Sequence, residues 1–295
     1  MAVQRSEPVS IWALGGPLLE GPVWVARDAA LWFTDIKRHR IYRYDPASGE
    51  RSEWAAPDQV GFVLPIAGGG FVAGLKTGLA RFDPADGSFA PLCDPEPQHP
   101  NNRLNDATVD PLGRLWFGTM DDGEATVSGC IYRLGADGAC VRESDLCSIT
   151  NGPALSPDGR ILYHTDTLGG LIHACDVGED GRLSNRRLFA AIPNEEGYPD
   201  GPTVDAEGCV WTGLYKGGAV RRYSPAGELL EVIRFPVSAI TKIAFGGPGL
   251  KTVYATTARK HCTPEEVAKE PREGDLFAFE VAVPGLPCPE IRVGV

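Results

Sequence analysis

A short apolar run recurs six times along this chain, and its spacing leaves few folds open. The copies are Leu31–Asp35, Phe71–Leu75, Leu115–Thr119, Leu162–Asp166, Val210–Leu214 and Val253–Thr257. Successive copies begin 40, 44, 47, 48 and 43 residues apart. Each is followed by a second strand-like run that mixes polar and apolar residues, such as Ile41–Tyr44, Ile131–Leu134 and Ala219–Tyr223. Turn residues keep the same place in the unit: Asp110-Pro111-Leu112-Gly113, Ser156-Pro157-Asp158-Gly159 and Asp205-Ala206-Glu207-Gly208 all precede a run, where Pro, Asp and Gly favour tight hairpins. A period of this length holding several short strands marks an all-β chain and a six-bladed β-propeller with four strands per blade. The units fall at roughly 19–57, 58–100, 101–148, 149–193, 194–236 and 237–285, within a single domain spanning 1–295. A strand at roughly 8–14 precedes them, and pairing it with the last unit would leave no open edge where the ring closes. Two separate β-sandwiches would need a linker, and no Ser- or Pro-rich break interrupts mid-chain.

The same register locates the chemistry. Three tripeptides share an oxygen-bearing residue followed by Gly-Pro: Glu20-Gly21-Pro22, Asn151-Gly152-Pro153 and Asp200-Gly201-Pro202. Each lies ten or eleven residues before its apolar run. The same step back from the other runs lands on Gly61 or Val60, Asn105, and Lys242 or Ile243. The start of a propeller's innermost strand opens onto the central channel, so these residues ring one end of the axis. Two carboxylates and two amides in one small space suit a hard divalent cation, and without one Glu20 and Asp200 would repel each other or share a proton. Asn-Gly and Asp-Gly are also turn dipeptides in their own right. Three in one register outweigh that reading.

Composition excludes other classes. With 28 Lys plus Arg against 39 Asp plus Glu, the net charge of −11 opposes a nucleic-acid partner. No apolar run approaches the ~20 residues of a membrane span, and residues 1–8 lack a signal-peptide apolar stretch, so a cytoplasmic protein is expected. The eight cysteines form no Cys-x-x-Cys pair, and most are expected to be reduced, buried thiols. No Gly-x-Ser-x-Gly elbow appears, which removes the usual covalent hydrolase. The five histidines share no zinc or catalytic spacing, and the tryptophans are expected to pack between blades.

The chain resembles the family of gluconolactonases, senescence marker protein and luciferin-regenerating enzyme, and within it the bacterial xylonolactonases. The resemblance runs from about Leu19 to Thr257. It rests on Glu20-Gly21-Pro22, Asn102-Arg103-Leu104-Asn105-Asp106, Phe117-Gly118-Thr119-Met120, Thr150-Asn151-Gly152 and Tyr198-Pro199-Asp200-Gly201 together. It implies a six-bladed propeller holding one divalent metal, with Glu20, Asn151 and Asp200 as ligands. It also implies that Asn105 approaches the metal and Arg103 grips the substrate. The family's acidic substrate contact falls in the loop Asp121-Asp122-Gly123-Glu124, either at Asp121, the position taken here, or at Glu124.

The implied activity is opening of an aldono-lactone to its aldonic acid, with pentono-1,4-lactones such as xylonolactone or arabinonolactone ahead of gluconolactone. Asp200 serves both as ligand and as the base that takes the proton of the attacking water. The ion is one of Fe²⁺, Ca²⁺, Mn²⁺, Mg²⁺ or Zn²⁺, because oxygen donors discriminate poorly among them. A monomer acting on a small sugar lactone, with no nucleic-acid or membrane partner, is expected. The alternatives are a metal-dependent esterase or phosphotriesterase on the same scaffold, and a non-catalytic propeller that binds Ca²⁺ or presents its face to a protein. Lys242 has the register to line the channel, and the charged segment Lys260–Gly274 reads as a short helix or a flap.

Overall fold

The computed structural model describes residues 6–292 and 295. Residues 1–5, on which the expectation of no leader peptide partly rests, lie outside the described residues. The fold is all-β and propeller-like: consecutive strands pair antiparallel into four four-stranded sheets and one eight-stranded sheet. The larger sheet consists of two four-stranded halves joined by a single parallel pair, Gly201 with Lys242. All six apolar runs are strands, and the segment before each forms the innermost strand of its unit. These inner strands are Leu19–Val25, Val60–Pro65, Asn102–Val109, Thr150–Leu155, Tyr198–Val204 and Ile240–Gly246. They touch in cyclic order, the last packing against the first. The strand Val9–Trp12 pairs with Leu276–Glu280, so the beginning of the chain completes the last unit.

Apolar residues fill the spaces between sheets, and each fully buried Phe or Leu contributes ~1.5–3 kcal/mol. Trp32, Trp116 and Trp211 are buried there, as expected, and each also solves a polar problem. The Trp116 indole N–H donates to Asp110 at 3.0 Å, that of Trp211 to Asp205 at 2.9 Å, and that of Trp32 to Asp28 at 3.0 Å. Asp110 and Asp205 also accept backbone N–H groups of their own turns. One carboxylate thus shapes the turn and satisfies a buried donor on the strand that follows.

Two local expectations resolve. Lys260–Gly274 contains a short helix, Pro264–Lys269, whose Thr263 and Glu266 form a reciprocal capping box. Cys130, Cys147, Cys175 and Cys209 are free and buried, as expected, but Cys93 and Cys140 are joined as a disulfide. They sit on the outermost strands of two different sheets, so their meeting depends on sheet packing that no local spacing encodes. Among the described residues no helix is long and apolar enough to cross a membrane.

Candidate metal and active site

Every inner strand carries an irregularity at the place that register arguments single out. The pairing of inner strand and apolar strand slips between Glu20 and Val23, Val60 and Phe62, Leu104 and Ala107, Asn151 and Ala154, Pro199 and Pro202, and Ile240 and Lys242. A bulge bends its strand and re-aims a side chain. Here it falls at or beside each site residue.

Glu20, Arg103, Asn105, Asn151 and Asp200 all line one pocket of about 170 Å³, room for about six waters. All five are buried. Gly61 takes the second unit's place because nothing larger fits: a Cβ there would lie 2.3 Å from the Asn105 carbonyl oxygen. The amides are fixed. Asn105 Nδ2 donates to the Thr150 carbonyl at 2.7 Å and to Asn151 Oδ1 at 2.9 Å, while Asn151 Nδ2 donates to Thr167 Oγ1 at 2.8 Å. These bonds turn the Asn151 oxygen toward Asn105 and inward.

The carboxylates are held by one oxygen each. Gly21 N–H donates to Glu20 Oε2 at 2.8 Å, and Gly201 N–H to Asp200 Oδ1 at 2.9 Å. Neither carboxylate has a cationic side chain within ion-pair distance among the described residues. Burial, and then the Asp106 charge, push the Glu20 carboxyl up to about 8. Burial, and then the charges of Glu20 and Asp106, raise Asp200 as well. Two buried, mutually repelling acids beside an amide oxygen fit a hard divalent cation, whose charge would balance theirs. Among the described residues no cluster of three His, Cys, Asp or Glu side chains offers a different metal site.

Arg103 reaches the pocket through a second network. Its Nε donates to Asp122 Oδ1 at 3.0 Å and its Nη1 to Asn105 Oδ1 at 2.5 Å. Asp122 also accepts from Lys37 at 2.5 Å and from Gln59 at 2.9 Å. Burial would raise this carboxyl, but the bonds from Gln59 and Lys37 and the Arg103 charge outweigh it and hold Asp122 far below the usual range. In the neighbouring loop, Glu124 lines the pocket and pairs with Lys260 at 2.5 Å. The Asp121 carboxylate instead accepts the backbone N–H groups of Gly123, Ala125 and Thr126, and is not part of the pocket wall.

Lys242 lies elsewhere. Its buried ammonium pairs with Asp106, whose other oxygen accepts the Gly152 N–H at 2.8 Å. Both residues line a separate cavity of about 330 Å³, further along the inner strands. Sequence reasoning missed Asp122, Lys216, Lys260 and His261. A usable signal existed, since each antiparallel apolar strand ends where its inner strand begins, and the turns after the last four runs supply Glu124, Leu168, Lys216 and His261 to the pocket wall.

Residues 18–259 match the family described as the SMP-30/Gluconolactonase/LRE-like region. A 6-deoxy-6-sulfogluconolactonase from Pseudomonas putida is 34% identical over 267 residues, covering 90% of this chain and 92% of that protein. Regucalcin from Danio rerio is 33% identical over 273 residues, covering 91% and 92%. The crystal structure of a calcium-binding protein, regucalcin, from Agrobacterium tumefaciens aligns with a TM-score of 0.92 at 28% identity, covering 96% of this chain and 97% of that one.

Proposed function

The chain belongs to the SMP-30/gluconolactonase/LRE-like family, and from that premise we propose that it is a metal-dependent sugar lactonase built as a single six-bladed propeller. The observation that carries the reading is the pocket floor. Glu20 and Asp200 are buried with no cationic side chain within ion-pair distance among the described residues, Asn151 stands beside them, and Arg103 and Asn105 face the same small space. Glu20, Asn151 and Asp200 would hold the ion. When bound, a divalent ion supplies Lewis-acid stabilisation of the negative charge that develops on the lactone carbonyl oxygen.

The residues divide the remaining work. Asp200 Oδ1 accepts the Gly201 N–H and keeps a second lone pair for the ion, which leaves Oδ2 to take the proton of the attacking water. As the water oxygen bonds to the carbonyl carbon, the bond from that carbon to the ring oxygen breaks. Its electron pair stays on the ring oxygen, which receives the proton from Oδ2, and the product is an open aldonic acid. Arg103 uses Nε and Nη1 for Asp122 and Asn105, leaving Nη2 for the substrate's carbonyl or hydroxyl oxygens. A guanidinium anchored at two points positions the ring without the entropy cost of a free side chain. Glu124, rather than Asp121, is the acid placed to meet a sugar hydroxyl.

The pocket's volume suits a single sugar ring, and pentono-1,4-lactones such as xylonolactone or arabinonolactone are the first candidates. The test strips metal with a chelator and follows acid release from xylono-1,4-lactone, arabinono-1,4-lactone and glucono-1,5-lactone in a weak pH-indicator buffer. Ca²⁺, Mg²⁺, Mn²⁺, Zn²⁺ or anaerobic Fe²⁺ is then restored. Ca²⁺ is the first ion to try, because the Agrobacterium relative is described as calcium-binding. Activity lost with the chelator and regained with one ion supports the reading. Rates equal to the buffer blank under every ion would overturn it.

A further inference from the structure

Midway along each apolar strand one residue faces a fixed partner on the next strand, and the six pairs differ in kind. They are Phe33 with Tyr42, Ala73 with Ala80, Phe117 with Tyr132, His164 with His173, Thr212 with Arg221 and Ala255 with Phe277. In the first and third units the pair is a stack of aromatic rings, with centroids 5.1 and 5.7 Å apart. The fourth unit keeps the stack, at 5.3 Å, but builds it from two imidazoles. A phenylalanine in the place of His164 would ask for no hydrogen bond. His164 is 2% exposed, and neither of its ring nitrogens has a hydrogen-bond partner among the described residues. The Nδ1 of His173 has none either. His173 Nε2 lies 3.3 Å from Arg186 Nη2; a guanidinium only donates, so Nε2 accepts and Nδ1 carries the proton. A buried polar atom without a partner is costly, and native interiors pair nearly all of theirs.

What faces the stack differs as well. Trp12, on the strand that completes the last unit, packs edge-on against Phe33 and Tyr42, with centroids 5.6 and 5.4 Å away. At the corresponding face of the fourth unit, His164 lines a cleft of about 610 Å³. Residues 142–145 of the third unit and 183–186 of the fourth supply most of its other walls. Arg142 and Arg186 line it, exposed, with no carboxylate within ion-pair distance of either among the described residues. Of the two acids on the wall, Glu143 is committed to Arg133 at 2.8 Å, and Asp145 is exposed. Burial, and then the charges of His173 and Arg186, push the His164 pKa down to about 3, so its imidazole is neutral and offers one donor and one acceptor.

These groups select among ligands. A cation would meet two guanidiniums. An apolar molecule would leave the ring nitrogens as they are. An oxyanion suits both, because its oxygens accept charge-assisted bonds from the guanidiniums at the entrance and an N–H from the imidazole at the base.

We propose that the cleft between the third and fourth units is a second ligand site, which takes the oxyanion of a small carboxylate or phosphate on Arg142, Arg186 and the His164 ring. It shares no lining residue with the metal pocket among the described residues. The experiment titrates full-length protein, ¹⁵N-labelled at histidine, with inorganic phosphate and separately with gluconate, and follows calorimetry together with NMR of the imidazole rings. The chain has five histidines, so each ring signal can be assigned by substitution. The expected result is that the His164 and His173 signals move and His39 and His99 do not; the anion that moves them identifies the source of the oxyanion. Arg186→Gln removes an exposed charge and should weaken binding about tenfold. His164→Phe installs the residue of the first and third units and should weaken it about fivefold. Binding of neither anion at millimolar concentration would overturn the proposal. So would shifts confined to His261 at the metal pocket, or variants that bind as tightly as wild type.

Discussion

Replacing Glu20 with glutamine should stabilise the metal-free protein while abolishing its response to metal. Glu20 is buried, accepts one backbone N–H from Gly21 and has no cationic side chain within ion-pair distance among the described residues, and its carboxyl is pushed up to about 8 from an ordinary 4.5. The folded chain thus keeps a proton that the unfolded chain releases between those values. Below pH 4.5 both states are protonated and nothing is lost; as pH rises, folding loses ~1.4 kcal/mol per pH unit. The loss reaches about 3 kcal/mol at pH 7 and levels near 5 kcal/mol above pH 8. Glutamine cannot ionise, yet its Oε1 still accepts the Gly21 N–H. At about 2 °C per kcal/mol for a chain of this size, metal-free Glu20→Gln should melt about 6 °C above wild type at pH 7. At pH 5 the two should nearly coincide. Adding an ion at a hundredfold excess over its Kd should restore about 2.7 kcal/mol to wild type and nothing to the variant. Melting curves in chelator from pH 5 to 8.5, then with metal, supply the measurement. A variant that melts below wild type at pH 8, or a gap that does not change with pH, would refute the premise that Glu20 is a strained acid awaiting a cation.

Three further outcomes follow from packing and bonding. Gly61→Ala would drive a methyl to within 2.3 Å of the Asn105 carbonyl oxygen and 2.6 Å of the Leu104 carbonyl oxygen, so it should cost ~2 kcal/mol or more in urea denaturation and weaken metal binding by calorimetry. Arg103→Lys cannot hold Asp122 and Asn105 together while reaching substrate; KM should rise about tenfold in steady-state assays with a smaller change in kcat. Asp205→Ala would strip the Trp211 N–H of its acceptor and leave the buried Arg222 guanidinium with Glu207 alone, costing about 3 kcal/mol of stability while leaving the metal Kd of the folded fraction unchanged.

The architecture was legible because its signals are local and repeated. Six apolar runs at a steady period announce strands, and Asp110 or Asp205 at a fixed offset announces turns. Glu20, Asn151 and Asp200 could be grouped because equivalent places in a ring converge however far apart they lie in the chain. The inner-strand bulges were hidden, since one extra residue in a ladder leaves no mark on hydrophobic alternation. The choice between Asp121 and Glu124 was hidden for another reason. It depends on which carboxylate caps the turn, and Asp121 is spent on three backbone N–H groups while Glu124, at φ 57°, lines the pocket. The Cys93–Cys140 disulfide likewise depends on how two outer strands approach.

The unequal filling of equivalent places explains how such a ring arrives at a charge suited to a divalent ion. Three acids lie close together near the axis, and the charge of Asp106 is felt by both Glu20 and Asp200. An unpaired Asp106 charge would add to the cost of ionising Glu20 and Asp200 and so favour protons there over metal. The sixth inner strand supplies Lys242, whose ammonium turns away from the pocket and pairs with Asp106. That pairing removes one acid from the balance, and the other Asp106 oxygen takes the Gly152 N–H, fixing the peptide that follows Asn151. The Lys242 stem packs so closely on Gly201 that a Cβ there would meet it at 2.8 Å, which braces the peptide that follows Asp200. The place whose register would line the channel thus braces the peptides beside Asn151 and Asp200 from behind. Beside Asn151 and Arg103 the pocket keeps the Glu20 and Asp200 carboxylates, whose joint charge of −2 would balance a 2+ ion.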